Sequence, residues 1–185
     1  MDTIKYAAEI ARELHRSVEQ IADKEAEALA DIILQADKVF VAGAGRSGLM
    51  GRAFAMRLMH TGINAYVVGE TVTPGIGKGD VLIIGTGSGE TRTLIPMAQQ
   101  AKSLGASVVA VTIAPESTIG RLADALVKLP GSPKDQAGGG YTTIQPMASL
   151  FEQTLLIFYD AVILRLMNSK GLNSGQMYGR HANLE

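Results

Sequence analysis

The sequence predicts an α/β fold: a three-layer αβα sandwich on a five-stranded parallel sheet, preceded by N-terminal helices. Five short apolar runs rich in β-branched residues, near 38–42, 64–68, 80–84, 107–112 and 125–129, alternate with helical periodicity near 47–60, 91–104 and from 118. Such alternation builds βαβ units, whose right-handed crossovers put helices on both faces of a parallel sheet. Two of the runs, Val39-Phe40-Val41-Ala42 and Val81-Leu82-Ile83-Ile84, lead straight into Gly-rich turns that open helices. Those turns fall outside the carboxyl ends of the strands, where open α/β sheets hold ligands.

Taking the elements in order, Ile4, Ala7, Ala11, Leu14, Val18 and Ile21 recur at gaps of three and four, a narrow seam along one helix. The seam packs either on its own domain or on another subunit. A second helix is expected over Asp23 to Gln35, with Asp23 as its cap. The strand–helix body follows, with no internal repeat or linker. From Pro130 to Pro146 the composition shifts to Gly, Ser, Pro and polar residues, which predicts a mobile loop, and residues 131–143 are a lid candidate on that ground. Pro146 fits the first turn of a long helix to about Asn168, and a short final helix follows Gly171.

With 185 residues the chain fits one domain, 1–185: a helical segment over 1–36, the sheet body over 37–130, and the loop and C-terminal helices over 131–185. A net charge of −1 with scattered Lys and Arg argues against nucleic acid and against a polybasic membrane surface. There is no Cys, and the three His lack ligand spacing, so neither disulfides nor a metal site are expected. The start Met1-Asp2-Thr3-Ile4 has no secretory pattern, which makes a cytoplasmic protein the expectation. The apolar stretch from 147 to 167 is interrupted by Glu152, Asp160 and Arg165 and reads as a buried helix, not a membrane span.

The second Gly-rich turn, Gly85-Thr86-Gly87-Ser88-Gly89-Glu90-Thr91, combines three hydroxyls with two glycines that allow close backbone approach. An ordinary helix cap needs one hydroxyl, whereas an anion held at a helix N-terminus uses several donors, so this turn is read as a phosphate cradle. The first turn, Gly43-Ala44-Gly45-Arg46-Ser47-Gly48, matches the dinucleotide fingerprint, and Glu70 lies 22 residues past Gly48, where a ribose-binding acid is expected. Nicotinamide chemistry is therefore a rival reading, opposed by the cation and hydroxyl that Arg46 and Ser47 bring to the turn.

Glu152 shares a helical stripe with Ser149, Leu156 and Tyr159, so it is either a general base or a structural carboxylate paired with a cation or an amide. His60 precedes Gly62 and reads as a C-terminal cap of its helix. His15 lies beside the N-terminal seam, and His181, in a polar tail, is left open. Lys134 and Asp135 read as solvated loop charges rather than lid contacts.

Taken together, GAGRSG, GTGSGET, RLMHTG, LFEQTLLIFYDAVI and the ending RHANLE resemble the 6-phospho-3-hexuloisomerases of the sugar-isomerase (SIS) fold family, over about Val39 to Glu185. The resemblance implies a flavodoxin-like five-stranded sheet, a homotetramer, no cofactor, and interconversion of hex-3-ulose 6-phosphate with fructose 6-phosphate in formaldehyde assimilation by the ribulose monophosphate route. It further implies that Thr86, Ser88 and Thr91 hold phosphate, with Gly87, Gly89 and Glu90 in the same loop. Ser47 and the Gly45-Arg46 backbone would meet the sugar, and Glu152 with His181 would transfer protons. Arg46 would stabilise the enediolate if its side chain turns inward. Where the family often has Ser, this chain has Thr86, which keeps the hydroxyl. The alternative from another class is a non-catalytic sugar-phosphate sensor.

Overall fold

The computed structural model describes residues 2–131 and 142–184. Its elements run α1 (Thr3–Val18), α2 (Asp23–Gln35), β1 (Val39–Gly43), α3 (Gly45–His60), β2 (Ala65–Val67), β3 (Val81–Gly85), α4 (Leu94–Ser103), β4 (Ser107–Thr112), α5 (Thr118–Leu122), β5 (Ala125–Lys128), α6 (Ser149–Ser169) and α7 (Ser174–Tyr178). The five strands form one parallel sheet in the order β2-β1-β3-β4-β5. Chain direction across the sheet reverses between β1 and β3, which makes their carboxyl ends the switch point of the fold.

Both faces of the sheet are buried because successive strand residues point to opposite sides. Val39, Val41, Val81, Ile83, Val109 and Val111 face a core shared with α2, α3 and α6. Phe40, Ala42, Leu82, Ile84, Val108 and Ala110 face the second core, under α4 and α5. The near-continuous apolar runs in the sequence are thus the signature of strands covered twice.

Several boundaries differ from expectation. Helix α2 is capped by Ala22 through its backbone alone, and Asp23 is the first helical residue. Its carboxylate still favours the positive helix end and pairs with Arg165 of α6. Helix α4 starts at Leu94, because residues 91–93 complete the turn that precedes it. Pro146 stays outside α6: its carbonyl accepts from the Ser149 amide, Met147 takes φ 56°, and Ala148 is the cap. Thr61, not His60, is the C-cap of α3. The seam of α1 divides. Leu14, Val18 and Ile21 are half-buried, whereas Ile4, Ala7 and Ala11 are exposed, so only its C-terminal half packs on this chain. Lys134, Asp135 and most of the lid candidate lie outside the described residues.

Helix α1 also carries Glu13, buried at 2% exposure. Its carboxylate accepts from Thr143 Oγ1 (2.6 Å), the Ile144 amide (2.8 Å) and Gln145 Nε2 (2.9 Å). These bonds pin the segment that leads into α6. Burial pushes the Glu13 carboxyl up, but the bonds from Thr143, Gln145 and Ile144 with the charge of Arg16 outweigh it and hold the group below its ordinary range. A depressed carboxyl stabilises the fold above its unfolded pKa, and the contribution is lost as pH falls through the folded value. Glu13→Ala should therefore cost about 3 kcal/mol at neutral pH. The same variant should lose less stability than the parent on acidification below the ordinary carboxyl range. Urea denaturation at pH 7 and in that acid range measures both.

Candidate active site

The Gly43↔Gly85 pair closes the ladder between β1 and β3, so both Gly-rich turns leave neighbouring strands at one level. The first turn is tight: a β-carbon on Gly48 would sit 2.7 Å from the Gly43 carbonyl oxygen, and one on Gly43 would sit 2.9 Å from Gly48 Cα. Only hydrogen fits where α3 crosses the end of β1. Helix α3 then starts at Gly45, with no side-chain cap at Ala44. The first amides of α3, together with half-buried Ser47, open at the rim of the sheet.

In the second turn the three hydroxyls divide the work. Thr86 is buried; its Oγ1 accepts from the Gly89 amide at 3.3 Å and lies 3.4 Å from Thr91 Oγ1. Ser88, exposed, accepts from the Glu90 amide at 3.2 Å and retains its own hydroxyl proton for a ligand. Thr91 is half-buried beside it. The amides of Gly87, Ser88 and Thr91 donate to no group among the described residues, which leaves a set of donors fit for an anion. Gly89 takes φ 64°, and a β-carbon there would collide with Ser117 Oγ.

Glu90 points away from this cradle. Its carboxylate accepts from the Thr118 amide at 2.7 Å, bracing the start of α5, and that bond holds its carboxyl below the ordinary range. The Glu90 side chain therefore supports the loop rather than the opening.

The N-terminus of α6 joins the two turns. Phe151 packs under the second turn, 3.3 Å from where a β-carbon on Gly87 would stand. The next residue, Glu152, buried to 9% exposure, pairs with Arg46 of the first turn at 3.1 Å. Of the two readings given for Glu152, the pairing with a cation is seen here, and its helical neighbour Phe151 is what touches the second turn. One guanidinium nitrogen of Arg46 is engaged here, and the remaining donors of its fork bond to no group among the described residues, which leaves them for a ligand oxygen. Glu70 instead pairs with Arg52 at the surface, which ties up the acid that the dinucleotide reading needs.

The chain does not bring His181 to this place. It lies against His60 at the other end of α3, with ring centroids 5.4 Å apart, and the 16 residues of α3 span roughly 22 Å. Around it runs a groove of about 440 Å³ whose wall includes Arg57, Asp160, Leu164 and Tyr178. Met56, Met59 and Leu164, on α3 and α6, are exposed apolar residues.

Comparison with known proteins agrees with this architecture. The family model described as SIS domain matches residues 32–157. The chain is 60% identical over 185 residues to the 3-hexulose-6-phosphate isomerase of Bacillus subtilis, covering 100% of both chains. It is 44% identical over 157 residues to the enzyme of that name from Mycobacterium gastri, covering 85% of this chain and 78% of the relative. Among solved structures, a Methanococcus jannaschii protein with an inferred molecular function of 3-hexulose-6-phosphate isomerase superposes with a TM-score of 0.83 at 32% identity. That match covers 98% of this chain and 99% of the other.

Proposed function

The chain belongs to the SIS domain family, and from that membership we propose that it is an isomerase that interconverts hex-3-ulose 6-phosphate and fructose 6-phosphate. The observation that carries this reading is the pair of donor-lined turns at neighbouring strand ends, with the N-terminus of α6 packed on both through Phe151 and through buried Glu152, held against Arg46 at 3.1 Å. The full-length similarity to the Bacillus subtilis enzyme supports the same substrate.

The phosphate takes the cradle of residues 86–91, using the free amides and the Ser88 and Thr91 hydroxyls. The sugar then extends toward the first turn, where Ser47 and the Gly45 and Arg46 amides meet its oxygens. Moving a carbonyl from C3 to C2 requires removing the proton from C2, passing through a 2,3-enediolate, and placing a proton on C3. One carboxylate between adjacent carbons can do both, and Glu152 is that base. The free donors of Arg46 stabilise charge developing on O2 and O3, a contribution worth about 3 kcal/mol in comparable sites. A 3-ketose whose O6 carries phosphate has no hydroxyl able to close a five- or six-membered ring on C3, so the substrate arrives open-chain. No ring-opening acid is needed, and His181 is free to relay the proton between O3 and O2.

Because His181 lies roughly one helix length from Glu152 of the same chain, the relay is supplied by a neighbouring copy. The homotetramer that the family resemblance implies would bring the tail of one subunit to the turns of another. The reaction would serve the ribulose monophosphate route of formaldehyde assimilation.

The direct test supplies hex-3-ulose 6-phosphate to the purified protein and follows fructose 6-phosphate by a coupled enzymatic assay. Sustained formation supports the reading, and binding without turnover contradicts it. Sharing of the site has its own test. Glu152→Gln and His181→Ala chains, each inactive or impaired alone, should regain about a quarter of wild-type activity when co-expressed as random mixed oligomers, because symmetric pairing rebuilds intact sites. Activity no higher than that of the separate variants would contradict a site shared between copies and leave His181 outside the chemistry.

A further inference from the structure

We propose that His60 is a positioning residue for His181: its buried ring is the platform that sets the plane of the His181 ring and so keeps Nδ1 against the Ala182 carbonyl, which fixes the tautomer in which His181 meets the substrate. The inference rests on the relay role given to His181 above.

The His181 ring is held in place by few partners among the described residues. His181 is exposed, and the ring contacts it makes are with His60, centroids 5.4 Å apart and planes 26° apart, and with Tyr178 at 6.1 Å and 21°. Its Nδ1 lies 2.9 Å from the Ala182 carbonyl oxygen. A carbonyl only accepts, so Nδ1 carries the hydrogen and Nε2 is left to take or give a proton.

His60 has the opposite character. It is 3% exposed at the last turn of α3, and its Nδ1 faces Arg57 Nη1 at 3.4 Å. A guanidinium only donates, so this nitrogen accepts and the hydrogen of His60 resides on Nε2. The His60 carbonyl accepts from Arg180 Nη1 at 3.3 Å, so the residue grips the tail through its main chain as well as its ring. Arg180 in turn lies across Gly62, which takes φ 82° and has no side chain to displace the guanidinium.

The charged and titratable groups around the stacked pair are Arg57 on α3, Asp160 on α6, and Tyr178 and Arg180 beside His181. Burial first, then the charges of Arg57 and His181, push the His60 imidazole below its ordinary value. A ring that stays neutral can lie flat against His181 in either protonation state and offers its π face when His181 is charged. A second imidazolium there would repel it.

The test is a double-mutant cycle on the full-length protein with His60→Ala, His60→Phe, His181→Ala and the His60→Ala/His181→Ala pair. Steady-state kinetics on hex-3-ulose 6-phosphate are read beside ¹⁵N NMR of the His181 ring. His60→Ala should lower kcat about tenfold, because a reacting group that loses its orientation forfeits part of the positioning advantage. KM should stay within about twofold. His60→Ala should add nothing in the His181→Ala background. His60→Phe keeps a flat ring, so it should recover most of kcat, and it serves alone if His60→Ala does not fold. The His181 ring should show one dominant Nδ1–H tautomer in the parent and in His60→Phe, and a mixture in His60→Ala.

An equal loss in both backgrounds, or an unchanged tautomer in His60→Ala, overturns the proposal. If His181→Ala turns over like the parent, the relay reading fails by that result alone. The tautomer populations then decide the positioning claim: a mixture in His60→Ala supports it and a single form refutes it.

Discussion

Glu152→Gln should lower kcat by about 10² to 10⁴, the range contributed by a positioned general base, while KM changes by no more than about threefold. The amide has nearly the shape of the carboxylate, and its oxygen can still accept from Arg46, which lies at 3.1 Å in the parent. The buried N-terminal turn of α6 should therefore keep its packing, and the variant should melt close to the parent. What it loses is the ability to accept a proton from C2. Glu152→Gln should also be more damaging than His181→Ala, because carbon deprotonation has no substitute, whereas water can move protons between oxygens. Steady-state rates of fructose 6-phosphate formation for both variants measure the difference. Equal collapse of the two would contradict this division, and a Glu152→Gln turnover within about tenfold of the parent would remove Glu152 from the chemistry.

The second large effect belongs to the cradle. Ser88→Ala combined with Thr91→Val should reduce kcat/KM by about 10² to 10⁴, because in the proposed binding mode each hydroxyl would donate to a charged phosphate oxygen, at about 1.5 to 3 kcal/mol each. Thr86 is retained in this design, since its buried Oγ1 braces the Gly89 amide and its loss would disturb the loop itself. Both KM and kcat should suffer. Binding at the phosphate end orients the reacting carbons, so weakening it is felt in the transition state as well. Fructose 6-phosphate raises the melting temperature of a protein that binds it, and this shift should vanish in the double variant. An undiminished kcat/KM would mean that the phosphate sits elsewhere.

How much of this was legible in the sequence varied with how local the signal was. The sheet was readable because strands buried on both faces are near-continuous apolar runs, as in Val81 to Ile84. Both turns were readable because their glycines and hydroxyls are contiguous and their neighbourhood is set by strand ends. Arg46 and Glu152 were each visible as candidates. Their meeting was not, since 106 residues separate them and only the packing of α6 on α3 joins them. Asp23 misled as a cap because an acid in a first helical turn acts through the helix dipole without a capping bond. Glu13 gave no signal at all: on a helix with several exposed charges, nothing marks one carboxylate as buried until Thr143 to Gln145 fold over it. The division of Thr86 from Ser88 and Thr91 likewise depends on which hydroxyl the loop turns inward. The siting of His181 depends on the return path of the chain after α7, and RHANLE alone does not encode it.

The reaction assigned to the site leaves a positional record in the sugar. Incubated with the protein in D₂O, fructose 6-phosphate should lose its C3 proton signal in ¹H NMR while both C1 protons persist, because a 2,3-enediolate exchanges hydrogen at C3 and leaves C1 alone. Exchange at C1, as an aldose–ketose isomerase would give, or no exchange at any carbon after prolonged incubation, would contradict the account.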